Sequence, residues 1–64
     1  MRRIKELRES KGLNQKQLAQ ELGVSPNTIS QYENGLRAPD IDMIKKLCRF
    51  FDVSAGYLIE LEEI

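Results

Sequence analysis

The segment Asn14–Gly35, NQKQLAQELGVSPNTISQYENG, combines the apolar spacing of packed helices with an outward surface of amides and hydroxyls. An apolar residue occurs at every third or fourth position, as in a helix with one buried face. The remaining positions are rich in Gln, Asn, Ser and Thr, whose side chains can hydrogen-bond to a partner that presents ordered donors and acceptors. The segment therefore predicts packed helices with a polar surface suited to binding.

The first half of this segment has the signature of a helix with a capped start. Asn14 can cap the helix, and Gln17 three residues later completes a capping-box pattern. Gly23 follows the last apolar position, where a left-handed residue commonly ends a helix. We therefore predict a helix over residues 15–22, with an apolar face made of Leu18, Ala19 and Leu22.

The second half predicts another helix after a tight turn. Ser25 is a favourable cap, and Pro26 occupies the first helical position, where its missing N–H is not needed. The helix is predicted to run over about residues 26–34, with Ile29 and Tyr32 facing inward. The two helices would lie close together because the turn between them is short.

Three further helices are predicted around this pair. The first covers residues 2–11 and ends before Gly12. Asp40 can cap a fourth helix, and Ser54 can cap a short last one. The apolar stripe of the fourth helix is predicted to be Ile41, Ile44, Leu47, Cys48 and Phe51. No strand pattern, repeat or linker is evident, so residues 1–64 are predicted to form one all-α domain.

The composition limits the classes of function. A chain of 64 residues can form one small domain at most, and no apolar run approaches the length of a membrane span. Cys48 is the single cysteine and the chain contains no histidine, so neither an internal disulfide nor an ordinary zinc site is expected. With no phosphate-binding loop and no nucleophile beside a base, an enzyme is not expected either. We expect a cytoplasmic protein without metal, cofactor or evident small-molecule ligand.

The charges are unevenly distributed along the chain, although the net charge is zero. Residues 1–37 hold seven basic and four acidic residues, a balance of +3. Residues 38–64 hold three basic and six acidic residues, a balance of −3. The polar segment lies in the basic half, which favours an anionic partner for that half.

The outward face of the second helix of the segment is polar but uncharged. The side chains opposite the apolar positions are Asn27, Ser30, Gln31 and Asn34. A solvated face is the alternative interpretation, but solvated faces usually carry Lys and Glu, and Asn and Ser are mediocre helix formers. Asn and Gln match the major-groove edge of adenine, and a helix that protrudes after a tight turn can enter that groove. The segment therefore predicts a helix-turn-helix over about residues 15–34 that binds double-stranded DNA.

The sequence resembles the DNA-binding domain of phage repressor and Cro type regulators, the XRE family, over nearly its whole length. The resemblance is carried by the Gln that starts the second helix, "LA" within it, "GVS" in the turn, "TIS" and "ENG" in and after the third helix, and "FDVS" before the last. It implies a compact five-helix, lambda-repressor-like fold and a sequence-specific transcriptional regulator, in particular a repressor. A module that docks on protein, such as an antitoxin, remains the alternative, because a helix-turn-helix shape can also bind protein.

The resemblance also implies roles for individual residues. Base contacts are expected from Asn27, Thr28 and Gln31, with Ser30 of the same face as a further candidate. Phosphate contacts are expected from Gln15 and from backbone N–H groups at the starts of the second and fourth helices and near Asn34 and Gly35, with Lys16 and Arg37 as electrostatic helpers. Pro26 departs from the family pattern, since many members carry a hydrogen-bonding side chain there.

An ion pair between Arg8 and Glu33 is implied by the matching family positions. The helical spacing agrees, because Arg8 borders the apolar stripe of the first helix and Glu33 borders that of the third. We therefore expect this pair to link the two helices close to the core.

The C-terminal part of the chain has more apolar residues than a core of this size can easily bury. The residues expected at a subunit contact are Phe50, Ile59, Leu61 and Ile64. We expect a homodimer, weak without DNA, that binds a palindromic operator with recognition helices about one helical turn apart, roughly 34 Å.

Overall fold

The predicted all-α architecture is confirmed by a computed structural model, which describes residues 1–60. The helices are α1 (Arg2–Ser10), α2 (Gln15–Leu22), α3 (Pro26–Glu33), α4 (Ile41–Phe51) and α5 (Ala55–Leu58). Residues 1–60 contain no strand. None of the helices in this part of the chain has the length and apolar content needed to cross a membrane.

Side-chain caps set the starts of four of these helices. The Asn14 side chain accepts a hydrogen bond from the backbone N–H of Gln17 at 2.7 Å, and the Asn14 N–H donates to Gln17 Oε1 at 2.8 Å, which completes the predicted capping box. Ser25, Asp40 and Ser54 cap α3, α4 and α5 in the same way, each accepting from the backbone N–H three residues later. These local bonds explain why α2 and α3 begin at the predicted residues.

The core is built from one apolar face of every helix. Its buried residues are Ile4, Leu18, Ala19, Leu22, Ile29, Tyr32, Met43, Leu47, Phe51 and Leu58. α2 packs on α3, α1 packs on α3, and α4 lies against α2 and α5. The inward positions predicted for α2 and α3 are therefore confirmed.

The predicted apolar stripe of α4 is wrong at its first position. Ile41 is 71% exposed, whereas Met43, which the sequence pattern did not select, is buried. The core-facing positions are 43, 47 and 51, at intervals of one helical turn, while Ile44 and Cys48 are partly buried at the edge of the core. The buried face of α4 is thus shifted around the helix from the predicted stripe. α2 and α5 determine which side of α4 is covered.

The N-terminus of α1 is attached to α5 and to the end of α3. The guanidinium of Arg3 lies 4.1 Å from the ring centroid of Tyr57 and donates to the Tyr57 carbonyl oxygen at 2.7 Å. Arg2 forms an exposed ion pair with Glu60 at 3.0 Å, and the N-terminal ammonium donates to the Tyr32 carbonyl oxygen. These contacts hold the first and last described elements on the same side of the domain.

Candidate nucleic-acid interface

The turn between α2 and α3 consists of the three residues Gly23, Val24 and Ser25. α2 ends at Gly23, whose φ of 74° lies in the left-handed region that glycine adopts without steric cost. The Val24 N–H donates to the Ala19 carbonyl oxygen at 3.0 Å, and the Val24 side chain packs against the core. Ser25 then caps α3, so this three-residue connection is held by a bond or contact at each position.

The face of α3 opposite its buried residues presents four uncharged polar side chains to the surface. Asn27 and Asn34 are exposed, while Ser30 and Gln31 are half-buried. Asn34 Nδ2 donates to Ser30 Oγ at 3.3 Å, a long bond between exposed groups that a ligand could replace. The four residues of the predicted polar face therefore lie together on α3 and its C-terminal cap.

Thr28 is already engaged by the helix cap. Its N–H donates to Ser25 Oγ at 3.2 Å, and its hydroxyl lies 3.0 Å from the same oxygen. A hydroxyl can donate once and accept twice, so Thr28 keeps hydrogen-bonding capacity for a base while its rotamer is held by the cap. The sequence did not reveal this constraint.

Arg8 and Glu33 form the expected ion pair between α1 and α3. Arg8 Nε lies 2.7 Å from Glu33 Oε2, Arg8 Nη2 lies 3.2 Å from Oε1, and the side chains are 10% and 2% exposed. Arg8 Nη1 also donates to the Leu13 carbonyl oxygen at 2.8 Å. This bidentate geometry is the strong form of an arginine–carboxylate contact, and it anchors the C-terminal end of α3.

The hydrogen bond to Glu33 raises the pKa of Arg8, against the opposing effect of burial. A basic side chain whose pKa is higher in the folded than in the unfolded state stabilises the fold at pH values below its pKa in the unfolded state. That stabilisation is lost only as the pH rises through its pKa in the folded state. Because arginine already titrates in strong alkali, Arg8 remains a cation at every pH at which the protein would function.

Gln15, the predicted phosphate anchor, is held by the same carboxylate. Its Nε2 donates to Glu33 Oε1 at 3.0 Å, and the residue is half-buried at the first position of α2. A side-chain amide has two N–H donors, so one donor remains for a phosphate while the other fixes the orientation of the group. Sequence inspection placed Gln15 at this helix start but did not show its bond to Glu33.

The Asn34 and Gly35 N–H groups, which were predicted to contact phosphates, are hydrogen-bonded within the chain. The Asn34 N–H donates to the Ser30 carbonyl oxygen at 3.0 Å, and the Gly35 N–H donates to that of Tyr32 at 3.3 Å. A phosphate would have to displace these bonds, which close the end of the helix. The exposed side chains of Asn34 and Arg37 are the available donors at this end of α3.

The two helix starts predicted to bind phosphate differ in their charge. α2 has no acidic residue in its first turn and carries the exposed Lys16 at its second position. α4 begins with the exposed carboxylates of Asp40 and Asp42, which repel an anion and offset the positive end of the helix dipole. The start of α2 is therefore electrostatically more favourable for an anion than the start of α4.

The structure describes two of the four residues expected at a subunit contact, Phe50 and Ile59. Ile59 is 43% exposed. Phe50 is half-buried, lies edge-on to Phe51 with ring centroids 5.1 Å apart, and has the Lys11 ammonium 5.3 Å from its ring. Leu61 and Ile64 lie outside the described residues. Ile59 is thus the most exposed of the predicted contact residues within residues 1–60.

Comparison with known proteins identifies the family. A family model described as Helix-turn-helix matches residues 4–58. The chain is 38% identical over 63 residues to the HTH-type transcriptional regulator ImmR of Bacillus subtilis, covering 98% of this chain and 50% of ImmR. It is 34% identical over 61 residues to the cryptic phage CTXphi transcriptional repressor RstR of Vibrio cholerae, covering 95% of this chain and 55% of RstR.

A third relative is the antitoxin PezA of Streptococcus pneumoniae, 39% identical over 51 residues, which cover 80% of this chain and 32% of PezA. The chain thus spans about half or less of the length of these relatives. No solved structure matches it. The family match covers most of the chain and extends beyond α2 and α3 to the other three helices. The chain therefore belongs to the helix-turn-helix family of DNA-binding regulators, the phage repressor type that its sequence predicted.

Proposed function

We propose that this protein binds a specific sequence of double-stranded DNA by inserting α3 into the major groove, and that it thereby regulates transcription. The observation that carries the proposal is the uncharged polar face of α3, on a helix whose opposite face is buried and whose ends are fixed by the Ser25 cap and by the Arg8–Glu33 pair. Repression is the expected outcome where the operator overlaps a promoter, because the bound protein would exclude polymerase. Binding to double-stranded DNA also implies a cytoplasmic location.

The contacts fall into two classes with different consequences. Base edges are assigned to the α3 side chains Asn27, Thr28, Ser30 and Gln31, and phosphates to Gln15, Lys16, Asn34 and Arg37. Base contacts carry sequence preference, whereas phosphate contacts set affinity and orientation for every sequence. The position of Gln15, held by Glu33 at the start of α2, suits a phosphate contact that orients α3.

A symmetric pair of subunits is the proposed binding unit. One short helix contacts few base pairs, and a palindromic operator lets two copies of α3 enter successive major grooves. The exposed Ile59 follows α5, in the acidic part of the chain, which suits a subunit contact better than a contact with phosphate. We therefore propose a homodimer that forms mainly on the operator.

The first experiment is selection of bound duplexes from random DNA, followed by titration of the selected and scrambled sequences at several salt concentrations. We expect a preference of at least about tenfold, a palindromic site, and a linear fall of log affinity with log salt. The absence of any preferred duplex would overturn the proposed function.

A substitution on α3 with a matched control on α2 locates the contact. Gln31→Ala should weaken the preferred site by about 1–3 kcal/mol and relax the preference at one or two base pairs. Gln20→Ala removes an equally sized amide from an exposed position of α2 and should leave the preference intact. An equal loss from Gln31→Ala on every sequence would contradict the assignment of this residue to a base.

A protein-docking function is the second candidate, and the similarity to the antitoxin PezA is the observation that favours it. A partner protein would bind without the steep salt dependence that counterion release from DNA produces. If no selected duplex is preferred and a partner protein instead binds with weak salt dependence, this candidate replaces the first.

A further inference from the structure

The recognition face of α3 is chemically matched to one kind of base pair. α3 has the sequence PNTISQYE and contains no arginine or lysine, the residues that most commonly contact guanine in the major groove. Its outward amides, Asn27 and Gln31, match the paired donor and acceptor of adenine. The polar part of the face thus favours adenine over guanine.

Exposed apolar residues lie at the start of α3 and just after its end. Pro26 is exposed at the first position of α3, and Leu36, two residues after the helix cap, is 78% exposed. The Leu36 N–H donates to the Gln31 carbonyl oxygen at 2.9 Å, and the Gly35 N–H donates to that of Tyr32. In this type of helix end the apolar residue commonly packs back onto the last turn. Here Leu36 is attached to the recognition helix by its backbone while its side chain is left uncovered by the fold.

The charges around the exposed apolar residues indicate which of them can approach DNA. Leu36 is followed by the exposed Arg37 and has no acidic neighbour in sequence. Ile41, which is exposed to a similar degree, lies between the exposed carboxylates of Asp40 and Asp42, which would be repelled by phosphates. Leu36 is therefore suited to contact a DNA groove, and Ile41 is not.

We propose that α3 recognises an A·T-rich half-site, with Asn27 and Gln31 on adenine edges and with Pro26 and Leu36 against the 5-methyl groups of thymines at the two ends of the contact. The proposal rests on the proposed function, since it names the bases that the same surface recognises. Apolar contact with the thymine methyl group is a general means of base discrimination, and these two side chains supply it where the face has no further polar group.

The proposal is tested by removing single methyl groups from the DNA. Each thymine of the selected half-site is replaced in turn by deoxyuridine, which keeps the base pair and deletes only the methyl group. We expect a loss of about threefold to fivefold in affinity at the thymines that Pro26 and Leu36 contact, from the burial of one methyl group each, and no loss at the others.

Protein variants then assign each methyl group. In Leu36→Ala the loss caused by uracil should disappear at one thymine and persist at the other, and Pro26→Ala should show the reverse. Ile41→Ala, which truncates an equally exposed apolar residue outside the α3 face, should retain both losses. Because Pro26, Leu36 and Ile41 are exposed, none of the three substitutions removes a core contact.

The outcomes separate this inference from the function on which it rests. A selected site centred on G·C pairs, uracil substitutions without effect, or uracil losses that persist in both Leu36→Ala and Pro26→Ala would overturn the A·T inference and leave specific DNA binding standing. Failure to find any preferred duplex would overturn both.

Discussion

Replacing Glu33 by alanine strands a buried cation. The Glu33 side chain is 2% exposed and accepts hydrogen bonds from Arg8 Nε and Nη2 and from Gln15 Nε2. The Arg8 side chain is 10% exposed in the intact pair, and without Glu33 its remaining protein acceptor among these contacts is the Leu13 carbonyl oxygen. The guanidinium cannot escape by losing its proton, because an arginine side chain remains protonated in proteins even without its partner.

The expected cost is a large part of the total stability. Removing one partner of a buried ion pair costs about 3–5 kcal/mol, and the near-complete burial of both side chains places this pair in that range. A domain of this length has a free energy of unfolding of about 3–10 kcal/mol. Glu33→Ala should therefore unfold a large fraction of the protein or lower the free energy of unfolding by roughly half. Glu33→Gln, which keeps the shape and one acceptor, should cost about 1.5–3 kcal/mol, the range for a hydrogen bond to a charged group.

Urea unfolding followed by circular dichroism measures these losses, with Glu21→Ala as the matched control. Glu21 is exposed on α2, so its removal should change the free energy of unfolding by no more than about 0.5 kcal/mol. Coupling is measured by a double-mutant cycle with Arg8→Met and Glu33→Leu, which fill the space with apolar side chains. The double variant should be more stable than the sum of the single losses predicts, by at least about 2 kcal/mol.

Additive losses in the cycle would refute this reasoning, because they would mean that neither charge depends on the other. A Glu33→Ala loss as small as that of Glu21→Ala would refute it as well. It would show that water or another acceptor reaches Arg8 at no cost in the folded protein.

Three further predictions concern binding, the turn and assembly. Gln15→Ala should weaken binding to preferred and scrambled duplexes alike, and it should lower the free energy of unfolding by about 1 kcal/mol through the lost bond to Glu33; a change in base preference on reselection would contradict the phosphate assignment. Gly23→Ala should cost about 1–2 kcal/mol in urea unfolding from its φ of 74° alone, because an added Cβ would meet nothing within 4 Å; an unchanged midpoint would contradict this. Ile59→Glu should weaken binding to a palindrome without changing the affinity for a single half-site, and equal losses on the two DNAs in a mobility-shift titration would refute the proposed subunit contact.

The starts of the helices were determined by the local sequence. Each cap joins residues only three positions apart, as in the bond of Asn14 to Gln17 and that of Ser25 to Thr28, so the pattern alone predicts where α2 and α3 begin. The polar face of α3 was likewise predictable, because the residues of one helix that share a side follow from its period. The family resemblance added the Arg8–Glu33 contact, which links residues far apart in the chain.

The tertiary structure alone decided which surfaces are covered and which polar groups are already bonded. Met43 rather than Ile41 is buried because the neighbours of α4, and not its own sequence, select the covered side. The bond of Gln15 to Glu33 and the exposure of Leu36 depend on how α2, α3 and the following loop meet. Burial and long-range hydrogen bonds arise from the positions of other elements in space, and a pattern that repeats every few residues carries no information about those positions.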